Sequence, residues 1–142
     1  LYLSYYIRQH RDTYYDLLQR VRITGDWEAW LTYFCDGVTE TAHQAADLAQ
    51  QVLALFERDR LKIEGLGRLT PTALQLHHDL QRHPVTTQTA AAERLGLSLP
   101  ATIRAMEALE DLGIVREITG RQRGKTYIYS AYLSLLDEGL TH

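Results

Sequence analysis

The chain has a single cysteine, only three prolines and no marked surplus of either charge among its 142 residues. Lone Cys35 excludes a disulfide framework or a cysteine-based zinc site within the chain, and it fits a reducing, cytoplasmic home. A net charge of −3 excludes a strongly basic nucleic-acid binder, so any such contact must come from a local patch. Charge is not segregated either: residues 1–69 hold eight Lys/Arg against ten Asp/Glu, and residues 70–142 hold seven against eight. No apolar run approaches the ~20 residues that a membrane-spanning helix needs, so no membrane partner is expected. No charged-then-apolar leader opens the chain. The opening "LYLSYYI" begins at Leu1 and reads as mid-helix, which leads us to expect a piece of a longer protein.

What is present is periodicity. Leu3, Ile7, His10, Tyr14, Leu17 and Val21 recur at spacings of three or four, the stripe of one amphipathic helix. Thr24-Gly25-Asp26 interrupts it, and Asp26 can cap a second helix by accepting an orphan backbone N–H. In that second helix Trp27, Leu31, Phe34, Val38, Ala42, Ala45, Ala49, Val52 and Phe56 keep a period near 3.6. The two stripes are expected to face each other in an antiparallel pair. Tyr2, Tyr5, Tyr6, Tyr15, Trp30 and Tyr33 then remain on other faces, calling for a partner: the rest of a parent protein or a second copy of the chain.

"EGLGRL", Glu64 to Leu69, has two glycines in six residues and places a domain boundary between residues 66 and 67. Beyond it Thr70 is expected to cap a helix with Pro71 in its first turn, ending before Pro84. Thr86 or Thr87 starts a short helix closed by Gly96, and Ser98 caps the next. Ile103, Met106, Leu109 and Leu112 are read as the inward face of that helix. After Gly113 the period becomes alternating: "IVREI" and "KTYIYS" form two strands around the glycines at 120 and 124, and a last helix follows from Ala131. A helix, a helix–tight turn–helix and a β-hairpin in this order make a winged helix-turn-helix. The fold class is therefore mainly α, an antiparallel helical segment at 1–66 followed by a winged helix-turn-helix domain with one β-hairpin at 67–142.

Two stretches also carry a family resemblance. "LYLSYYIRQHRDTYYDLLQRVRITGDWEAWLTYFCDGVTETA" resembles the helices that follow the catalytic motif in Fic-family proteins. "LEDLGIVREITGRQRGKTYIYSAYLSLLDEG" resembles the winged-helix tail of many bacterial Fic proteins. The resemblance implies a parent that transfers AMP from ATP, with Mg²⁺, to a hydroxyl side chain of a target protein. It also implies that the N-terminal Fic domain of that parent is a partner of this chain. The family's catalytic loop, His-Pro-Phe-x-x-Gly-Asn-Gly-Arg, is not here: the one His-Pro, His83-Pro84, continues as "VTTQTAAA". No catalytic residue, metal or cofactor is assigned to this chain, and it is not expected to be an enzyme. Ser134 and Glu138 in "SLLDEG" match the family's inhibitory pattern Ser/Thr-x-x-x-Glu-Gly/Asn, in which the glutamate pairs with the phosphate-binding arginine.

For DNA, the helix from Ser98 to Leu112 would enter the major groove, with Ala101, Thr102, Arg104, Ala105 and Ala108 outward. Arg104 is the one side chain able to reach guanine bidentately, while Glu107, Glu110 and Asp111 oppose phosphate. The wing over residues 119–126 is richer, since Arg121, Arg123 and Lys125 could neutralise about three phosphates. The alternative is protein docking or homodimerisation without DNA, because cations also guard hairpin edges. Tyr127 and Tyr129 are expected to pack on one face of the hairpin. His10 is expected to be a partly buried core residue, and Cys35 a buried, inert thiol.

Overall fold

The computed structural model describes the backbone of residues 2–141 and the side chains of residues 3–139. In order, it contains α1 (Tyr2–Gln9), α2 (Arg11–Thr24), α3 (Trp27–Ile63) and a 3-10 segment over Glu64–Leu69. There follow α4 (Thr70–Arg82), β1 (Val85–Thr87), α5 (Gln88–Leu95), α6 (Leu99–Asp111), β2 (Arg116–Glu117), β3 (Thr126–Ile128) and α7 (Ser130–Thr141). The chain divides into two compact units: one runs to Gln50 and takes in the last residues from Gly139, the other is Gln51–Glu138.

In the first unit the single expected helix is two, α1 and α2. His10 leaves helical geometry at φ −104° and ψ 35°. Its N–H still donates to Tyr6 O at 3.0 Å and its carbonyl accepts from Tyr14 N–H at 3.0 Å, so the break is a kink. His10 is exposed, not buried, with its ring 4.6 Å from that of Tyr6. Asp26 does cap α3, accepting from Ala29 N–H at 3.3 Å, and the same carboxylate pairs with Arg20.

The helices pack antiparallel: Arg20 meets Asp26, the Tyr14 and Tyr33 rings lie 6.4 Å apart, and Tyr6 lies against Tyr33 and Gly37. The face α3 uses is not the one expected. Trp27 (58% exposed), Leu31 (51%), Phe34 and Val38 face solvent, while Trp30, Tyr33 and Gly37 turn inward. The cause is Gly37, where a Cβ would stand 2.6 Å from the Tyr6 ring. Only a glycine lets that ring approach the α3 backbone, and the tyrosines of α1 and α2 gather around the opening. Cys35, beside Phe34, is exposed rather than buried.

The second unit begins at Gln51 rather than at residue 67. Leu55 and Ile63 of α3 belong to its core, with Leu76 and Leu80 of α4, Met106 and Leu109 of α6, Ile114, Tyr127 and Tyr129. Thr70 does not cap α4. Its hydroxyl donates backwards to Ile63 O at 3.2 Å, and Pro71 occupies the first turn as expected. The hairpin β2–β3 is joined by an unforeseen third strand, β1, giving an antiparallel sheet of order β1-β3-β2. Tyr127, mid-strand in β3, faces Thr86 on one side and Glu117 on the other. Tyr129 N–H extends the pairing to Pro84 O at 2.8 Å. Both tyrosines are fully buried, as the alternation predicts.

Candidate nucleic-acid interface

The central pair of helices is built from local signals. Thr87 Oγ1 accepts from Ala90 N–H at 3.2 Å to start α5. Gly96 ends it at φ 64°, a left-handed conformation that glycine adopts without a Cβ clash. Ser98 Oγ then accepts from Ala101 N–H at 3.4 Å to start α6. Ala91 and Ala105 are fully buried, small enough to let the helices cross closely.

A polar clamp fixes α5 against its neighbours. Arg94 donates from Nε to Asp79 Oδ1 (3.0 Å) and from Nη2 to Asp79 Oδ2 (2.6 Å), and Nη2 also reaches Thr86 Oγ1 at 2.7 Å. The fork joins α5, α4 and β1, and planar guanidinium geometry suits a carboxylate held this way. The bonds to Asp79 raise the Arg94 pKa against the opposing effect of burial. Nothing in the sequence flagged Arg94 or Asp79, which are fifteen positions apart.

On α6 the inward face is Thr102, Ala105, Met106 and Leu109. Thr102 is fully buried and does not point outward, which corrects its placement among the groove-facing residues; Ala105 is corrected likewise. The Thr102 hydroxyl satisfies itself by donating to Ser98 O at 3.0 Å, so a small polar residue is buried there without an orphan group. Ile103, read as core, is only half-buried. The outward face keeps Arg104, Glu107 and Asp111, with Leu99 and Pro100 exposed at its first turn. Arg104 Nε bonds back to Pro100 O at 3.3 Å.

The wing is the loop between β2 and β3. Arg121, Gln122 and Arg123 are exposed and Lys125 is half-buried. Its base is organised by Glu117, whose carboxylate accepts from Thr119 N–H (2.6 Å), Gly120 N–H (2.9 Å) and the Thr119 hydroxyl. Those bonds, led by the Thr119 hydroxyl and helped by Lys125, hold the Glu117 carboxyl below its usual range against some burial. Glu117 N–H in turn donates to Glu110 Oε1 at 3.1 Å, tying the wing to α6. A glutamate two residues before Thr-Gly is the sequence signal for this anchor. Ser134 and Glu138 are both exposed on α7.

Residues 69–116 match the family described as winged helix-turn-helix DNA-binding. This is a winged helix-turn-helix domain. The match runs from the start of α4 to β2 and stops before the wing cations. The winged helix accounts for α4, α5 and α6 as its three helices, and for β1 as the strand that joins the hairpin to the helices. No curated protein matches the chain. Among the described residues no helix is long and apolar enough to cross a membrane.

Proposed function

We propose that the winged-helix unit is a non-catalytic DNA-binding module that holds duplex mainly by its wing. The observation that carries this reading is the Glu117-anchored loop presenting Arg121, Arg123 and Lys125, beside a recognition helix whose outward face offers one arginine among carboxylates. Binding of this kind is electrostatic and weakly sequence-selective. Fluorescence anisotropy on random duplex between low and moderate salt tests it. Binding should weaken steeply with salt, and Arg121→Ala with Arg123→Ala should lower the logarithmic salt slope by about 2, near 0.9 per phosphate. No binding at low salt, or a slope indifferent to the double variant, would remove the reading.

We further propose that the parent is a Fic-type AMP-transferase using ATP and Mg²⁺, with this module in a regulatory role. Support comes from the resemblance of the α1–α3 segment to the helices after the Fic motif. The uncovered stripe Trp27, Leu31, Phe34 and Val38 fits an N-terminal catalytic domain packed upon it. In that parent Glu138→Gly should raise AMP transfer if Ser134 to Gly139 is inhibitory, and labelled ATP with a target protein gives the readout. The second reading is a protein-docking or homodimerisation module, favoured by the same stripe. A sedimentation measurement showing a dimer that Leu31→Glu dissociates would support it over DNA binding.

A further inference from the structure

Two helical stripes in the second unit line one opening. Gln51, Ala54, Leu55 and Arg58 on α3 are spaced i, i+3, i+4, i+7, and Ala131, Ser134 and Leu135 on α7 are spaced i, i+3, i+4. Between them lies an open slot of about 510 Å³, within the roughly 300–1,000 Å³ of small-molecule sites. Alanines on both walls create the space: Ala54 and Ala131 stand where larger side chains would close it. The floor is apolar, and among the described residues Arg58 is the one ionised group lining it and no carboxylate does so. From Gln51 to Arg58 the helix rises about 10 Å, which matches an aromatic ring with a short acyl chain.

We propose that this slot binds a small amphipathic carboxylate, its apolar body against Leu55 and Leu135 and its carboxylate on Arg58. Charge complementarity selects the anion. Arg58 Nε lies 3.3 Å from Asp59 Oδ1, but Asp59 also receives Lys62 Nζ at 3.1 Å and the Tyr129 hydroxyl at 2.7 Å. The buried charge is therefore met without the whole guanidinium of Arg58, whose side chain is 60% exposed. A carboxylate takes two parallel N–H donors from such a fork. The proposal does not depend on DNA binding.

The probe is 4-phenylbutyrate, with 4-phenylbutanol as its neutral counterpart, titrated into the full chain and followed by methyl resonances of Ala54, Ala131 and Leu135. Saturable binding of the acid at least tenfold tighter than the alcohol is expected. Arg58→Gln should bring the acid down to the level of the alcohol, and Ala131→Phe should abolish both. Because either variant could unfold the chain, its circular dichroism is compared with the parent chain, and Ala54→Phe on the opposite wall gives an independent block. Equal affinities for acid and alcohol in the unaltered chain would overturn the proposal. So would binding that survives folded Ala131→Phe or Ala54→Phe, or a dimer that either variant converts to monomer, which would make the slot an interface between copies.

Discussion

The Tyr129 hydroxyl donates a 2.7 Å hydrogen bond to Asp59 Oδ2, joining β3's continuation to α3 across seventy positions of sequence. Burial and then Asp59 hold the Tyr129 phenol well above its ordinary range, so its proton stays on oxygen and is available to give. With that proton committed to Asp59, His77 Nε2, 3.3 Å from the same hydroxyl, is the donor toward it. The three side chains form one directed chain, His77 to Tyr129 to Asp59, inside the winged-helix core. Removing its middle member leaves a buried carboxylate short of a partner. Tyr129→Phe should cost about 1.5–3 kcal/mol, read by urea unfolding at neutral pH.

The same chain makes stability depend on pH. Burial lowers the His77 pKa, with Asp59 opposing and His78 adding to the shift. Its folded value is below its unfolded one, so its contribution is full above about pH 6.5 and fades as pH falls through the folded value. Asp59 follows at lower pH: burial would raise its carboxyl, but Tyr129, Lys62 and Arg58 together hold it below the usual value. Its contribution is full above about pH 4 and is lost as the pH drops further. Urea midpoints should therefore decline below pH 6.5, and His77→Gln should flatten the upper part of that decline while leaving the lower part.

The Arg94 fork is expected to be structural rather than a phosphate contact. Asp79 is nearly buried, so Arg94→Ala strands a charge there and should cost about 3 kcal/mol. Arg94→Lys replaces the fork by a point charge and should recover only part of the loss. The salt slope of DNA binding by the folded variants should not change, which separates this arginine from Arg121 and Arg123.

Glu117 should behave in the opposite way to a charge that repels DNA. Glu117→Ala removes an anion near the wing but also frees the Thr119 and Gly120 N–H groups that shape it. A looser wing must be ordered on binding, so affinity should fall several-fold with the salt slope kept. Tighter binding in anisotropy would show that the charge, not the anchor, dominates.

In the first unit Gly37→Ala should destabilise despite the roughly 1 kcal/mol that alanine gains in helix propensity. The added Cβ would meet the Tyr6 ring at 2.6 Å, and that ring is flanked by His10 and Tyr33. Thermal melts followed by near-ultraviolet dichroism of the aromatic cluster give the readout.

The parts legible in sequence were those whose cause is local. Thr87, Gly96 and Ser98 act on their own neighbours, so the helix–turn–helix could be read from three residues. The alternation after Gly113 likewise announced the hairpin. What stayed hidden depends on partners far along the chain. Strand β1 is three residues that become a strand only by pairing with β3. Thr102 is buried because Ser98 O answers its hydroxyl, whereas hydropathy alone ranks Ile103 as the inward residue. On α3 two apolar stripes compete, and the one glycine at 37 decides between them through Tyr6.

Helix α3 passes without a break from Trp27 through Gln51 to Ile63, and the boundary glycines, Gly65 and Gly67, come only after it. The place where the chain is easiest to cut is thus not the place where the fold divides. A protein trimmed at Gly67 would lose Leu55, Asp59 and Ile63, leaving the Tyr129 hydroxyl without its acceptor and the core open on one side. One trimmed at Gln51 keeps all three, and for an isolated winged helix that is the start site to choose.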